Sequence, residues 1–329
     1  MAKNIFQLSE NRLALGALAP LQVPLVIYVE TSSYCNLACN FCPHFLEPER
    51  MNKLNMSLNI FKKIIDDIHD FQTPIKMLRM CGTGDSLMNK NLIEMLNYAG
   101  TKRNYDKFEL ITNGLLLDSN LISALTTNLT RIIISVEGLN DEDYFKFTNR
   151  KINFDKFKNQ IRELYRNKSN CKIHIKIHNN AVNNQKKRDL FYSLFEDYCD
   201  EIYIENLVDL WPSTDSQYVT SGSHRFSGSL KKEVIACSQI FKTMQINSNG
   251  SVIPCSIDWE SLNIIGDIGQ TKLIDIWNGD LMRAIRLKHL NKERNNFLPC
   301  SACSFNEASD VDNIDNYLDD IKRRMNVFE

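Results

Sequence analysis

Short β-rich runs alternate with amphipathic helical runs through the first two-thirds of the chain, and this alternation constrains the fold more than any other feature. Six strands are predicted, at Val26–Glu30, Lys76–Met80, Phe108–Thr112, Arg131–Val136, Lys172–His178 and Glu201–Glu205. Five helices are predicted between them, at Leu58–Phe71, Lys90–Thr101, Ser119–Thr126, Asp141–Tyr165 and Gln185–Tyr198. Repeated βα units favour a parallel sheet, in which chemistry sits at the carboxyl ends of the strands.

The alternation stops near residue 207, where a stretch rich in Ser, Thr and Gly begins and contains Trp211-Pro212. Such composition is typical of a linker. A shorter irregular segment with four cysteines follows it. The sequence therefore predicts five parts: a lead-in 1–23, an α/β unit 24–206, a linker 207–228, a small irregular domain 229–310 and a terminal helix 311–329.

Charge and hydropathy exclude several classes of protein. The 329 residues carry 39 Lys+Arg and 40 Asp+Glu, a formal net charge of −1, so no bulk attraction to nucleic acid or an anionic membrane is expected. The apolar stretch 13–29 is interrupted by Gly16, Pro20, Gln22 and Pro24, which makes it neither a signal sequence nor a membrane span. We therefore expect a cytoplasmic protein, in which ten cysteines favour metal ligation over disulfides.

The first cysteine set lies just after the first predicted strand. Cys35, Cys39 and Cys42 form a C-x3-C-x2-C pattern, and the aromatic Phe41 precedes the last of them. Three thiolates on one loop suit a [4Fe–4S] cluster that leaves one iron open. Structural zinc is the alternative, but it needs four ligands, and no nearby residue completes a familiar zinc spacing.

This cysteine pattern resembles the cluster motif of the radical S-adenosylmethionine (SAM) enzymes. The resemblance covers about residues 24–206 and implies a partial (β/α)6 TIM-like barrel. In that family the open iron binds the amino and carboxylate groups of SAM. An electron from the cluster then cleaves SAM to methionine and a 5′-deoxyadenosyl radical, which abstracts hydrogen from the substrate. The resemblance also implies a flavodoxin- or ferredoxin-type reductant.

Other motifs of this family fall at predicted strand ends. The run from Gly82 to Asp85 resembles the Gly-Gly-Glu-type motif that receives the SAM amino group, with Asp in place of the usual Glu. Glycine lets the backbone approach a ligand closely, although a tight turn has the same composition. The resemblance implies SAM contacts at Phe41, Gly82, Thr83, Gly84, Asp85, Thr112, Asn113, Ser135 and Glu137.

The second cysteine set lies beyond the linker, where Cys237, Cys255, Cys300 and Cys303 form a C-x17-C-x44-C-x2-C pattern. Four thiolates fill every ligand position of a [4Fe–4S] cluster, and they equally suit a zinc ion. The segment resembles the SPASM/twitch extension of radical SAM enzymes, in its single-cluster form. That resemblance implies a second, auxiliary [4Fe–4S] cluster with no open iron, suited to accept or relay an electron.

Polar side chains on the fifth and sixth strands are candidates for substrate chemistry. The strand Lys172–His178 alternates isoleucines with lysines and histidines, and in a barrel the isoleucines should face the helices while the polar residues face the lumen. Lys176 and His178 are nearest the carboxyl end, where they could bind a polar substrate or remove a proton. Glu205 ends the next strand and is a candidate of the same kind. A solvated edge strand is the alternative explanation.

Cys81 follows the second strand, beside the Gly82 loop. A thiol in this place could donate a hydrogen atom to a substrate radical, as an epimerase requires. The alternative is a small buried apolar residue, which is the interpretation we give to Cys171 and Cys199.

These features together predict a radical SAM enzyme that oxidises or epimerises a small polar substrate such as a sugar, aminocyclitol or polyol. The architecture resembles that of 2-deoxy-scyllo-inosamine dehydrogenase. A peptide- or protein-modifying SPASM enzyme is a second hypothesis, although only 34 residues precede Cys35, too few for a leader-binding domain. A non-catalytic, zinc-stabilised binding protein is the third.

Metal content separates the third hypothesis from the other two. Two four-iron clusters predict about eight irons per chain after anaerobic reconstitution. Elemental analysis of the purified chain measures this directly. Zinc without iron would contradict an enzyme of this kind.

Overall fold

A computed structural model describes residues 13–215, 224–308 and 312–327. The first twelve residues of the predicted lead-in, the middle of the predicted linker and the joint before the predicted terminal helix lie outside these ranges. Nine strands occur in the described part of the chain, at β1 Val26–Val29, β2 Ile75–Met80, β3 Tyr105–Thr112, β4 Arg131–Val136, β5 Lys172–His178, β6 Glu201–Glu205, β7 Thr243–Ile246, β8 Ser251–Ile253 and β9 Gly266–Asp267.

Twelve α-helices occur in the same described ranges, several of them a single turn. They are α1 Leu15–Leu18, α2 Pro43–Leu46, α3 Leu58–Ile68, α4 Leu92–Thr101, α5 Ser119–Asn128, α6 Asp141–Thr148, α7 Phe154–Arg166, α8 Gln185–Phe195, α9 Leu273–Asn278, α10 Asp280–Leu290, α11 Phe305–Ala308 and α12 Leu318–Val327.

The strands form one sheet in the order β6-β5-β4-β3-β2-β1-β7-β8-β9. Strands β1 to β6 run parallel in sequence order, which confirms the parallel sheet of a partial TIM-like barrel. Strand β7, which follows the linker, pairs in parallel with the free edge of β1, and β8 and β9 continue antiparallel. The C-terminal segment is therefore an extension of the barrel sheet, and β1 has a partner on each side. The domain boundaries themselves stay a prediction.

Short polar side chains begin most of the barrel helices. Ser57 caps α3, Asp118 caps α5 and Asn184 caps α8, each by accepting a hydrogen bond from a backbone N–H in the first turn. These caps satisfy N–H groups that have no partner inside the helix. The βα alternation of the sequence is thus reinforced by a start signal at each of these junctions.

One predicted helix is wrong in its extent. The stretch Asp141–Tyr165 forms two helices, α6 and α7, instead of one. The break occurs because Asn149 adopts a left-handed conformation, with φ of 53°, and ends α6. Asn153 then caps α7 by accepting from the N–H of Lys156. Asn tolerates both positions better than most residues do.

The two faces of β5 separate as the alternation predicts. Ile173, Ile175 and Ile177 are fully buried in the hydrophobic core with apolar residues of the surrounding helices. Lys176 instead pairs with a carboxylate on β6. Because β6 covers its outer edge, β5 is not the solvated edge strand that was the alternative.

The C-terminal segment also contacts the outside of the barrel. Trp277 of α9 is fully buried and donates from Nε1 to the carbonyl of Leu21, and the Asp67 carboxylate of α3 accepts from the N–H of Leu273. Arg324 of α12 donates to the carbonyls of Gly16 and Ala19, which anchors the end of the described chain near its beginning. No helix in the described ranges is long and apolar enough to cross a membrane.

Candidate active site

The first cysteine loop lies over the carboxyl ends of the strands and is held by α6 and by β3. The N–H of Ala38 donates to Thr148, and Asn149 Nδ2 donates back to Ala38. Asn113, at the end of β3, donates to Asn36 at 2.7 Å. The same Asn113 Nδ2 also donates to Cys35 Sγ at 3.9 Å, so these bonds position both the loop and its first thiol.

The three thiols of this loop lie close enough to affect one another. Burial, together with the neighbouring Asp85 carboxylate, raises the pKa of Cys35 to about 12, and burial raises that of Cys42 to about 11. Burial and the nearby Glu137 also hold the pKa of Cys39 well above its usual value. Buried thiolates of this kind require a compensating cation, and bound metal deprotonates thiols outright. The donor set fits an iron–sulfur cluster.

The loop Gly82-Thr83-Gly84 packs tightly under the cysteine loop. A Cβ atom on Gly84 would overlap the backbone carbonyls of Ser32 and Tyr34, and one on Gly82 would overlap the Glu30 side chain. The N–H of Asp85 donates to the carbonyl of Tyr34 at 2.8 Å. Both glycines are thus required by packing between the two loops, which the sequence alone had related only to ligand approach.

The acceptor positions of the Asp85 carboxylate are occupied by hydrogen-bond donors of the protein itself. Its buried carboxylate accepts from Thr112 Oγ1 at 2.8 and 2.9 Å, from the N–H of Asn113 at 2.8 Å and from the N–H of Leu87 at 2.9 Å. A carboxylate has roughly four acceptor positions, so little capacity is left for a SAM amino group. Asp85 joins the ends of β2 and β3, and its predicted contact with SAM stays a prediction.

Glu137 lies at the end of β4 beside the cysteine loop. Its burial raises the pKa of the carboxyl to about 7, against the opposing effect of Lys176. Ser135 lies two residues earlier on the same strand face and is partly exposed. The placement of both residues at the barrel mouth agrees with the SAM contacts that the resemblance implies, which stay predictions.

His178 is almost fully buried at the end of β5, with Nε2 3.5 Å from Glu137 Oε2, and its predicted role in substrate chemistry stays a prediction. Its ring lies between Phe41 and Phe147, with ring centroids 5.2 and 4.8 Å away. The N–H of Ala181 donates to His178 Nδ1 at 3.3 Å, and burial lowers the pKa of the imidazole to about 4. His178 is therefore neutral and buried, and it supports the cysteine loop through Phe41.

Lys176 is an ion-pair partner and not a proton acceptor at neutral pH. Its Nζ donates to Glu205 Oε1 across the β5–β6 pair. Burial disfavours the charge, but Glu205, Tyr203 and Glu137 together raise the pKa of the ammonium above its ordinary value. A raised pKa favours substrate binding over proton removal among the two predicted roles of Lys176, and both stay predictions.

Cys81 lies in the lumen at the end of β2. Charges from opposite sides of the barrel, Arg79 on β2 and Lys176 on β5, both act on its thiol and lower its pKa. Burial has a larger and opposite effect, so the net pKa is raised and the group stays a thiol. Below it, Arg79 donates to the fully buried Glu109 at 2.6 and 3.0 Å. The lumen is thus lined by paired charges around one protonated thiol.

The second cysteine set surrounds a separate pocket of about 490 Å³. All four thiols line it, together with apolar side chains such as Ile240, Ile257 and Phe297. The thiols of Cys237, Cys300 and Cys303 together raise the pKa of Cys255, after the larger effect of burial. Four thiols from distant parts of the sequence therefore converge, as their spacing predicts.

The spacing of these thiols bears on the zinc alternative. No three His, Cys, Asp or Glu side chains in the described ranges are placed to hold a single metal ion. Zinc binds four sulfurs at about 2.3 Å from one centre. A four-iron cluster binds each thiolate at a different corner, so its ligands stand further apart and enclose a cavity.

Glu30 is a site residue that the sequence analysis missed. Its buried carboxylate accepts from Thr83 N and Oγ1 at 2.9 and 2.6 Å through one oxygen. The other oxygen accepts from Ser248 N and Oγ at 3.3 and 2.7 Å. One side chain therefore joins the loop of Gly82 to the C-terminal segment. Its position, an acid at the carboxyl end of a predicted strand, was the available signal.

Breaking the hydrogen bonds of Glu30 should weaken the binding of SAM. Glu30→Gln keeps the size of the side chain but replaces one acceptor oxygen with an NH2 group, which breaks the bridge on one side. Hydrogen bonds to charged groups are worth about 1.5–3 kcal/mol, so we expect SAM affinity to fall about tenfold or more in equilibrium dialysis.

Glu201→Gln is the matched control for this prediction, because Glu201 is a partly buried carboxylate at the amino end of β6, 2.8 Å from His174. It should leave SAM affinity unchanged. Equal affinities in the Glu30 variant and the parent chain would show that the bridge does not position the loop.

Two protein-family models match the chain. A model of the radical SAM superfamily matches residues 29–181, and a model of the iron–sulfur cluster-binding SPASM domain matches residues 237–304. Each model covers one of the two cysteine sets. Such domains use SAM and [4Fe–4S] clusters, in agreement with the donor sets described above.

Curated relatives match over part of their length. The FeMo cofactor biosynthesis protein NifB of Methanocaldococcus infernus is 25% identical over 193 residues, which is 56% of this chain and 61% of that protein. The GTP 3′,8-cyclase of Aquifex aeolicus is 29% identical over 134 residues, 39% of this chain and 40% of that protein. The chain thus spans about two-fifths to three-fifths of these relatives.

Solved structures share the fold over most of the chain. BtrN, in complex with AdoMet and 2-DOIA, has a TM-score of 0.56 at 16% identity, covering 88% of this chain and 98% of BtrN. SuiB of Streptococcus suis has a TM-score of 0.63 at 18% identity, covering 81% and 68%. AnSMEcpe with bound AdoMet has a TM-score of 0.60 at 16% identity, covering 93% of each chain. With its two cysteine sets on one extended sheet, the chain carries a radical SAM domain at residues 29–181 and a C-terminal iron–sulfur cluster-binding SPASM domain at residues 237–304.

Proposed function

We propose that the chain abstracts hydrogen from a small polar substrate, such as a sugar, aminocyclitol or polyol, and so oxidises or epimerises it. The observation that carries this proposal is the polar, charge-paired lumen below the first cysteine loop. Lys176 and Glu205 pair on one side, Arg79 and Glu109 on the other, and Cys81 lies near both cations.

The cofactors supply the radical chemistry and the residues of the chain position the reactants. When bound, the first cluster supplies the electron that cleaves SAM and so generates the radical that takes a hydrogen atom. Cys35, Cys39 and Cys42 would hold that cluster. The four cysteines of the second set, Cys237, Cys255, Cys300 and Cys303, would hold the auxiliary cluster in their apolar pocket.

The lumen suits a ligand with several hydrogen-bonding groups. Lys176 stays protonated and presents ammonium donors, while Glu205 and Glu137 present acceptors. Charged groups in a closed cavity interact more strongly than in water, and they orient a substrate that offers matching donors and acceptors. Arg79 contacts Glu109 and lies 5.7 Å from the centre of the Tyr28 ring, so its charge is already partnered.

Cys81 separates the two outcomes. In an epimerisation the thiol of Cys81 would give a hydrogen atom to the substrate radical, and the resulting thiyl radical would be restored by an electron from the flavodoxin- or ferredoxin-type reductant and a proton from solvent. Burial keeps the thiol protonated for this step, because it raises the pKa of Cys81. In an oxidation the substrate radical would instead lose a proton to solvent and an electron to the auxiliary cluster, and Cys81 would take no part.

A peptide-modifying activity is the second candidate. It is supported by the fold likeness to SuiB, which has been solved bound to the precursor peptide SuiA, and to anSMEcpe, solved with AdoMet and the Cp18Cys peptide. The cyclase and NifB relatives add other chemistries on related sequences. The paired charges of the lumen favour the small polar substrate.

Cys81→Ala tests the choice of reaction. We expect the variant to form 5′-deoxyadenosine at a rate close to that of the parent chain, because the residue is not a ligand of either cluster. Net epimerised product should fall at least a hundredfold if Cys81 is the hydrogen donor, and chromatography with deuterated solvent measures both species. Unchanged product would show that the reaction is an oxidation or uses another donor.

The control for this test is Cys171→Ala, which removes a buried thiol at the amino end of β5. It should leave both species unchanged. If no amino sugar, cyclitol or polyol stimulates 5′-deoxyadenosine formation in the parent chain, and a peptide does, the small-substrate proposal is wrong.

A further inference from the structure

A polar pocket lies at the seam between the barrel and the C-terminal segment, and we propose that it holds the non-reacting part of an unphosphorylated, amine-bearing substrate, recognised by Gln245. This inference rests on the proposed function and adds to it a binding site, a charge preference and a specificity residue. The pocket opens to solvent between the two parts of the chain, and hydrogen-bonding side chains form most of its lining.

The walls of the pocket come from both parts of the chain. Glu30 and Thr83 contribute from the end of β1 and the loop below the first cysteines. Gln245, Trp259 and Ser261 contribute from the C-terminal segment. A ligand here touches the loop assigned to SAM on one side and the SPASM domain on the other, so it lies next to the reacting centre.

The charge of the pocket selects against anions. Its lining contains one carboxylate, that of Glu30, and no lysine, arginine or histidine. Glu30 forms no ion pair with any residue in the described ranges, and its partners Thr83 and Ser248 are neutral. A phosphate placed beside this buried negative charge is repelled, whereas an ammonium group is attracted by the charge itself and not by a direct hydrogen bond, because Thr83 and Ser248 already fill the roughly four acceptor positions of the carboxylate.

A nearby cation does not reverse this preference. Arg50 stacks on Trp259, with its guanidinium carbon 5.1 Å from the ring centre, but Arg50 is not part of the pocket lining. It forms ion pairs with Glu47 and Glu260. The positive charge is therefore partnered on the outer side of the tryptophan.

Gln245 carries a buried acceptor oxygen that indicates a ligand in this pocket. It lies on β7 directly opposite Tyr28, is 1% exposed and lines the pocket. Its Nε2 donates to Asn247 Oδ1 at 2.9 Å, which fixes the orientation of the amide. Its Oε1 has no hydrogen-bond partner among the described residues. A buried acceptor without a partner is unfavourable, so a donor group on the ligand is expected to meet it.

The hydrogen-bond chain continues from Gln245 along the same wall. Asn247 Nδ2 donates to Ser261 Oγ at 2.9 Å and to Ser251 Oγ at 3.0 Å. Ser261 therefore uses its oxygen as an acceptor and keeps its O–H proton for another partner. The wall thus offers one acceptor, on Gln245, and one donor, on Ser261, which matches an alcohol or amine group of a polyhydroxylated ring.

The test is binding to the full chain, reconstituted anaerobically and saturated with SAM. The probes are glucosamine, galactosamine and 2-deoxystreptamine, with glucose 6-phosphate and GTP as anionic counterparts, measured by calorimetric titration. At least one amine should bind, and the two anions should bind at least tenfold more weakly than it. Turnover is measured separately, so an amine that binds without stimulating 5′-deoxyadenosine formation would contradict the proposed function and leave this inference intact.

Two variants test whether Gln245 and Ser261 contact the bound amine. Gln245→Leu removes the acceptor and should weaken binding of that amine about tenfold, while SAM affinity stays unchanged. Ser261→Ala is the milder second variant and should weaken binding about threefold to tenfold by the loss of one donor. Gln160→Leu removes an amide that bonds only the backbone of Leu117, remote from the pocket, and should leave binding unchanged.

Four results would overturn the inference. The first is that no amine of the panel binds at 10 mM, about the upper limit for a useful site. The second is that an anion binds as tightly as the amines, and the third is that the amine binds equally well to the Gln245 and Ser261 variants. The fourth is that the affinity for SAM falls together with that for the amine, which would make the pocket part of the SAM site.

Discussion

The pairing of β1 with a strand on each side is the constraint on which the rest of the structure depends. Val26–Val29 pairs in parallel with β2 of the barrel and, on the other edge, with β7 of the C-terminal segment. The first cysteine loop, Glu30 and the Gly82 loop all follow the carboxyl ends of these strands. The two cysteine sets, more than 190 positions apart in the sequence, are therefore carried by one rigid sheet.

The interior of this sheet contains an unusual amount of paired charge. Glu109 is fully buried between Arg79 and Arg131, and although burial raises the pKa of its carboxyl, the two cations lower it below the ordinary value. Replacing such pairs with apolar residues is often neutral or stabilising, so their presence is weak evidence for stability. Under the proposed function, these pairs would orient a polar substrate in the barrel, which gives a functional reason to keep them.

Local patterns in the sequence predicted much of the fold and both cysteine sets. The strands β4, β5 and β6 begin and end where the sequence predicts, because β-branched runs and flanking turns are local signals. The cysteine spacing is likewise local within the first loop. The SAM and catalytic contacts are harder to predict from the sequence, since the surroundings of His178 depend on Phe41 and Phe147 from two other parts of the chain.

Long-range pairing is what the sequence did not reveal. The four residues of β7 carry no local signal that they pair with β1, more than 210 positions earlier, and so extend the barrel sheet. The Asp85 carboxylate accepts hydrogen bonds from Thr112, 27 positions later. The bridging role of Glu30 depends on Ser248, 218 positions later. Each of these partners is set by strand register, which emerges only when the sheet is assembled.

The central claim is that the two cysteine sets hold two different clusters and that only the first leaves an iron open to SAM. Electron paramagnetic resonance of two reduced, reconstituted variants tests it directly. A variant with Cys237, Cys255, Cys300 and Cys303 changed to alanine should keep a four-iron signal that shifts when SAM is added. A variant with Cys35, Cys39 and Cys42 changed to alanine should keep a signal that SAM does not alter. A SAM-dependent shift in the second variant would contradict the account.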